Sequence, residues 1–517
     1  MSIDVSGAGD NPALWLESVA QSDPDRLFME TPGERSYSYG EVTDISGRFA
    51  TYLTQCGIAV GDRVAAQIDK SPEGFMLYLA CLRMGVIYVP LNTAYSRTEI
   101  EYFIKDSEPG LLVCQPKSLD EITPVAEKFN VRAIRSLGVN GEGTFIDSAM
   151  KCRPDGFMSF KGSSSEVAAL LYTSGTTGRS KGAMITRGAL AHCAKTLAAA
   201  WHFTSDDILL HVLPVFHGHG LFIAANTVLF AGAGMIFTKR FDIDEVIRCL
   251  PDATVFMGVP TMYMRLLKHP GFSETACQNL RLAISGSAPI MLETLDAFRE
   301  KSGCTILERY GLTETLIVTA NPYNGKAIQG SVGLPVSDVD VRLVDIETGD
   351  ELPKANMIGK IEVRGPGLFK GYWKNPEKTA EEMRADGYFM TGDLGKFDED
   401  GYLYIVGRDK DMVITGGYNV YPKEVETEID ALEAVVESAV FGVPHPDFGE
   451  AVSAVVVLTK EGKLSEVALQ EILTARLAKY KCPKKVIFVD QLQRNAMGKV
   501  QKNILKQYYE NLYQEDR

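Results

Sequence analysis

Between about residues 40 and 260, short apolar runs alternate with longer amphipathic ones. The stretch at 63–68 reads as a strand, 74–84 as a helix and 86–89 as the next strand. Further strands are predicted at 111–114, 168–172, 208–213 and 235–237. Strand and helix in turn predict a layered α/β architecture. The texture changes around 330–407, where short strands at 340–344, 359–364 and 402–406 are separated by glycines. That spacing predicts a small β-rich subdomain. Beyond Arg408 the pattern predicts helix 422–432, strands 435–442 and 451–459, helix 464–478 and strand 485–489, an α+β arrangement. The expected organisation is a large N-terminal domain over 1–407 and a small C-terminal one over 408–517. The charged stretch Gly407 to Asp411 is the expected hinge.

A chain of 517 residues is too long for a single core, which agrees with more than one domain. Its formal charge of −14, from 53 basic and 67 acidic residues, argues against nucleic-acid binding. It also requires a local basic cluster wherever an anionic substrate is held. Nine cysteines stand apart with no CxxC pair, so neither metal-ligand nor redox spacing is present. A reduced, cytoplasmic setting is expected from this. The first residues carry no basic and apolar signal pattern, and no uninterrupted apolar run reaches membrane-spanning length.

The richest chemistry lies behind the strand at 168–172. There Thr173, Ser174, Gly175, Thr176, Thr177, Gly178, Arg179 and Lys181 form one short loop. Glycines let backbone N–H groups turn toward a ligand, hydroxyls add donors and the basic pair adds charge, a combination suited to polyphosphate. A Walker-type loop needs four residues between its glycines, then Gly-Lys-Ser/Thr and a helix. Here two residues separate Gly175 from Gly178, Gly182 follows Lys181, and 183–186 reads as a strand. A kinase or GTPase P-loop is excluded.

In order after this loop come Tyr310-Gly-Leu-Thr-Glu-Thr315, Thr391-Gly-Asp393, Gly407-Arg408 with Lys410, and Arg494 followed by Lys499. The ordered set resembles the adenylate-forming superfamily of acyl-CoA synthetases, luciferases and adenylation domains, and within it malonyl-CoA synthetases. The resemblance implies activation of a carboxylic acid by ATP and transfer to CoA, with Mg²⁺ as cofactor. It places Thr173 to Gly178 and Lys181 around the β- and γ-phosphates, Thr313 at the α-phosphate and Glu314 on the metal. Gly286, Ser287 and Ala288 would line the adenine, with Glu308, Tyr310 and Gly311 beside them and Tyr310 stacked on its face. Asp393 and Arg408 would bind the ribose. Lys499 would bridge carboxylate and α-phosphate, Lys410 would serve as hinge, and Gly416 and Gly417 would line the pantetheine passage. A plain β-turn is the other reading of those two glycines.

For the acid, Arg309 is the informative position. Fatty-acid and aryl-acid relatives place small or uncharged residues there, whereas a guanidinium would pair with a second carboxylate. The likeness to malonyl-CoA synthetases extends to His217 and Ser285. A salt bridge from Arg309 to Glu308 or another acid is the structural alternative. The chain departs from the malonate pattern at Gly218, Leu312 and Val318, and carries Gln493 where proline is usual. A wider, drier pocket that accepts C2-substituted malonates is the expectation. A short monocarboxylate or aryl acid, a stand-alone adenylation module and a nucleotide sensor are the competing readings. The position of Lys499 also raises control by a lysine acetyltransferase and deacetylase.

Overall fold

The computed structural model describes all residues except 1–6, 8, 155–156, 174–179, 354, 417, 495–498 and 514–517. The chain forms two compact units, Met1–Val341 with Val363–Phe389, and Arg342–Glu362 with Met390–Arg517. The boundary expected near Gly407 lies inside the second unit.

The first unit is built on two sheets. In one, Ala133–Ser136, Leu111–Cys114, Arg63–Gln67, Ile87–Pro90 and Val167–Thr173 lie parallel in that order, and Lys181–Thr186 closes the edge antiparallel. In the other, Ile306–Tyr310, Leu282–Ser285, Val255–Gly258, Ile208–His211, Gly234–Phe237 and Leu27–Glu30 are parallel neighbours, with short antiparallel strands at both edges. Parallel strands covered on both faces read as continuous apolar runs, which is why these segments stand out in the sequence. The predicted strand at 208–213 ends at His211, three residues before Pro214.

Helix Pro72–Met84 shows what fills the space between the sheets. Ser71 caps it by accepting from the Gly74 N–H at 3.0 Å, Pro72 occupies its first turn, and Gly85 at φ 74° ends it. Every residue from Gly74 to Met84 is buried. Its side chains join one core with Val64 and Ala66 of the first sheet and Met29, Leu209 and Met235 of the second. Alternate strand residues face outward. Leu210, Phe256, Ala283 and Ile306 pack beneath Ile243–Cys249, Pro260–Lys268 and Leu292–Ser302. Layered α/β is therefore what the alternation produced.

The second unit carries most of a four-stranded sheet ordered Asp340–Val344, Gly359–Arg364, Phe389–Phe397, Leu403–Arg408. It also contains a sheet in which Val435–His445 pairs antiparallel with Gly449–Leu458, flanked by Lys485–Phe488 and the hairpin Val413–Thr415, Tyr418–Val420. Helices Pro422–Asp430 and Glu466–Arg476 pack on it through Val425, Ile429, Leu469 and Leu473. Among the described residues no helix is long and apolar enough to cross a membrane.

Candidate active site

The strand Ile306–Tyr310 presents successive side chains to opposite faces. Leu307 belongs to the core between the sheets and Ile306 to the outer one. Arg309 therefore faces inward and Glu308 outward, so the two cannot form the salt bridge that adjacency suggested. Arg309 is 5% exposed, and its Nε and Nη2 have no hydrogen-bond partner among the described residues. Burial lowers its pKa to about 10, so it remains a cation at neutral pH. Glu308 accepts from the Gly330 N–H at 2.9 Å, and burial pushes its carboxyl up to about 7. Ser285 pairs in register with Glu308, which puts it on Glu308's side of the sheet and not on that of Arg309.

Gly286 follows Ser285. A Cβ there would lie 2.4 Å from Arg309 Nε, so glycine is what lets the guanidinium pack against the turn. Ser287 takes φ +71°, and its hydroxyl lies 3.3 Å from His219 Nδ1. His219 opens a π-helical turn, His219–Ala224, a form that often marks functional sites. Burial, then the charge of Arg309, lowers the pKa of His219 well below the usual histidine value, so the ring is neutral. The neighbouring His217 is half-buried, and its Nδ1 accepts from the His219 N–H at 3.3 Å. A side chain on Gly218 would meet Leu171 at 3.4 Å, so its absence leaves room beside that leucine. Leu312 packs against the central core, and Val318 is fully buried. The sequence singled out His217 here; His219 entered only as its neighbour.

The residues that the resemblance assigns to phosphate and metal gather around the turn after Tyr310. A Cβ at Gly311 would fall 2.1 Å from the Leu316 carbonyl oxygen, and Thr315 Oγ1 accepts from the Leu312 N–H at 2.9 Å. These constraints hold Thr313 and Glu314 at the head of a tight turn. Glu314 stays partly accessible, but its packed surroundings raise its carboxyl pKa. Its Oε1 is 2.9 Å from the Tyr372 hydroxyl, which is 2.6 Å from Glu382. Lys181 Nζ lies 3.2 Å from Glu382 and 4.4 Å from the centroid of the Tyr372 ring. Strand Lys181–Thr186 brings these together, because the Met184 N–H donates to Gly371 and the Trp373 N–H to Gly182. Tyr372 and Glu382 were invisible in the motif pattern. Thr173 Oγ1 is buried without a partner among the described residues, and Ser174, Gly175, Thr176, Thr177 and Gly178 lie outside them.

The remaining candidates belong to the second unit. Asp393 and Arg408 pair across antiparallel strands, with Arg408 Nε 2.6 Å from the Asp393 carboxylate, itself 3% exposed. Lys410 lies in the single helical turn Asp409–Asp411 and is exposed, and partial desolvation of its ammonium lowers its pKa. Gly416, at φ 57°, occupies the turn between Val413–Thr415 and Tyr418–Val420, and Gly417 lies outside the described residues. Lys499 is exposed, beside the bridge of Arg494 to Val500.

The AMP-binding enzyme family matches residues 16–373, and the AMP-binding enzyme C-terminal domain matches 424–499. The chain belongs to the AMP-binding enzyme family. It is an AMP-forming acid–CoA ligase. A long-chain-fatty-acid–CoA ligase of Bacillus subtilis (strain 168) is 33% identical, over 97% of this chain and 96% of that protein. A malonate–CoA ligase of Arabidopsis thaliana is 32% identical, over 96% of this chain and 88% of that protein. The crystal structure of ATP-bound MatB from Rhodopseudomonas palustris superposes with a TM-score of 0.94 at 49% identity, covering 98% of this chain and all of that one. Relatives acting on such different acids fit a shared nucleotide site and a variable acyl site.

Proposed function

We propose that this AMP-binding family member joins malonate, and C2-substituted malonates such as methylmalonate, to CoA. A carboxylate oxygen of the acid attacks the α-phosphorus of ATP, and the bond to pyrophosphate breaks. The CoA thiolate then attacks the acyl carbon of the resulting adenylate, and AMP leaves. The buried Arg309, with two unpartnered donors on the face that looks between the sheets, carries this reading. A buried guanidinium without a counter-charge is costly, and the free carboxylate of a diacid supplies both the charge and the acceptors. Gly218, where a Cβ would meet only the apolar Leu171 and Phe222 at 3.4 and 3.8 Å, and the apolar Leu312 and Val318 support tolerance of a C2 substituent.

On the nucleotide side, Lys181 and Thr173 act on the β- and γ-phosphates, Thr313 on the α-phosphate, and Gly286, Ser287, Ala288, Glu308, Tyr310 and Gly311 around the adenine. Asp393 and Arg408 take the ribose hydroxyls, and Lys499 neutralises charge at the reacting phosphorus. Lys410 is the pivot, and Gly416 and Gly417 border the thiol arm's entry. His217 flanks the acid and holds it for attack. Among the described residues no three His, Cys, Asp or Glu side chains cluster as a metal cage. Mg²⁺ suits this arrangement, because it travels with substrate phosphates and needs few carboxylates. Glu314, whose surroundings disfavour an isolated negative charge, is the residue that would hold it. When bound, the ion offsets phosphate charge. A cytoplasmic location is supported by nine free cysteines, and exposure of Lys499 supports its acetylation as a control.

The test is kcat/KM for malonate, methylmalonate, ethylmalonate and propionate, with ATP and CoA saturating. Malonate and methylmalonate should exceed propionate. A preference for propionate or a longer monocarboxylate would reject the diacid reading, and strict preference for malonate would reject C2 tolerance alone.

A further inference from the structure

Side chains from distant parts of the first unit meet at the turn after Leu282–Ser285. The Arg309 guanidinium packs against Gly286, and the next residue, Ser287, holds its hydroxyl 3.3 Å from His219 Nδ1. Ser287 does so in a left-handed conformation, φ +71°, which residues other than glycine rarely adopt. His219 is 2% exposed, and its Nε2 has no partner among the described residues. Arg309 Nε and Nη2 are in the same condition.

A neutral imidazole carries one proton, and the group at one nitrogen decides which nitrogen keeps it. The Ser287 hydroxyl can donate or accept. If it accepted, Nε2 would present a bare lone pair to the region where a carboxylate is expected, and the two would repel. If it donates to Nδ1, Nε2 carries the proton and becomes a donor like those of Arg309. One anion can then accept from both His219 and Arg309.

We infer that His219 is a specificity-determining residue whose Nε2–H, fixed in that tautomer by Ser287, joins Arg309 in binding the carboxylate that is not activated. This rests on the diacid reading above and extends it to a second donor and its positioning residue. It also gives a reason for the Ser287 conformation, since the hydroxyl reaches the ring from there.

The test is steady-state kinetics of the full-length enzyme with malonate and propionate for His219→Phe, His219→Gln and Ser287→Gly. Phenylalanine keeps a ring without a donor, whereas glutamine can place an amide N–H near the position of Nε2. Glycine at 287 accepts the left-handed backbone and removes the hydroxymethyl group that reaches the ring. In His219→Phe the malonate-to-propionate ratio of kcat/KM should fall about tenfold or more, mainly through the KM for malonate, as loss of one charge-assisted hydrogen bond predicts. His219→Gln should return the ratio to within about threefold of the parent enzyme, and Ser287→Gly should lower it about threefold. Ser287→Gly keeps the test decisive if the phenylalanine variant does not fold. An unchanged ratio in the variants, with the parent enzyme still preferring malonate, overturns this inference alone. A parent enzyme that prefers propionate overturns it together with the diacid reading.

Discussion

Lys181 is ion-paired with Glu382, its Nζ 3.2 Å from the carboxylate, in surroundings that leave the two side chains 12% and 23% exposed. The pair occupies the basic group that the sequence assigns to ATP phosphates, so phosphate and Glu382 compete for one ammonium. Glu382→Gln keeps an acceptor for the Tyr372 hydroxyl but removes the competing charge. The expected outcome is a KM for ATP lowered about threefold, the effect of about 0.7 kcal/mol from a partly exposed pair. Initial rates against ATP concentration measure it, and a higher KM would mean that the carboxylate instead holds Lys181 in position for phosphate.

Gly286 offers a steric test of the same site. The 2.4 Å separation between a Cβ there and Arg309 Nε means that Gly286→Ala must displace the guanidinium. Malonate activity should fall about tenfold more than propionate activity, since one of two charge-assisted contacts is misplaced. Equal losses on both acids would show that the glycine serves only the nucleotide.

Glu308 predicts a pH dependence of stability. Burial pushes its carboxyl up to about 7 from an ordinary 4.5. The folded chain therefore holds a proton that the unfolded chain has released between those values, and stability falls as pH rises through that window. The full effect is about 3 kcal/mol. Thermal unfolding at pH 5 and pH 8 should show Glu308→Gln losing less stability than the parent across that interval. Identical pH responses would contradict the raised carboxyl.

The role proposed for Lys499 separates the two half-reactions. Lys499→Ala should slow adenylation about 100-fold or more, measured as pyrophosphate release, because a charge at the reacting phosphorus is lost. Thioester formation from preformed malonyl-adenylate should survive. Normal adenylation in that variant would remove the lysine from this step.

What could be read from sequence was whatever local physics dictates. Strand and helix positions followed from the alternation of apolar and amphipathic runs, and the glycine-rich segment and Tyr310 to Thr315 announced nucleotide chemistry. Arg309 stood out because the fatty-acid and aryl-acid enzymes that the motifs resemble place small or uncharged residues there, and strand alternation alone could have separated it from Glu308. Tyr372 and Glu382 could not be found, because they reach Glu314 and Lys181 only after strand Lys181–Thr186 pairs with a segment nearly 200 residues later. His219 was hidden for a similar reason. Its significance lies in Ser287, 68 residues away in sequence, and in an unpartnered nitrogen that only packing reveals. The compact units were also less legible than the motifs. Segment Arg342–Glu362 groups with Met390–Arg517 through sheet pairing, and Gly407 falls within that unit.

The central claim is that Arg309 binds the second carboxylate of the acid, and kinetics of Arg309→Ala on malonate and propionate test it most directly. Loss of two charge-assisted hydrogen bonds, about 3 kcal/mol, should lower the malonate-to-propionate ratio of kcat/KM about 100-fold. A ratio equal to that of the parent enzyme would contradict the claim and leave Arg309 a structural residue.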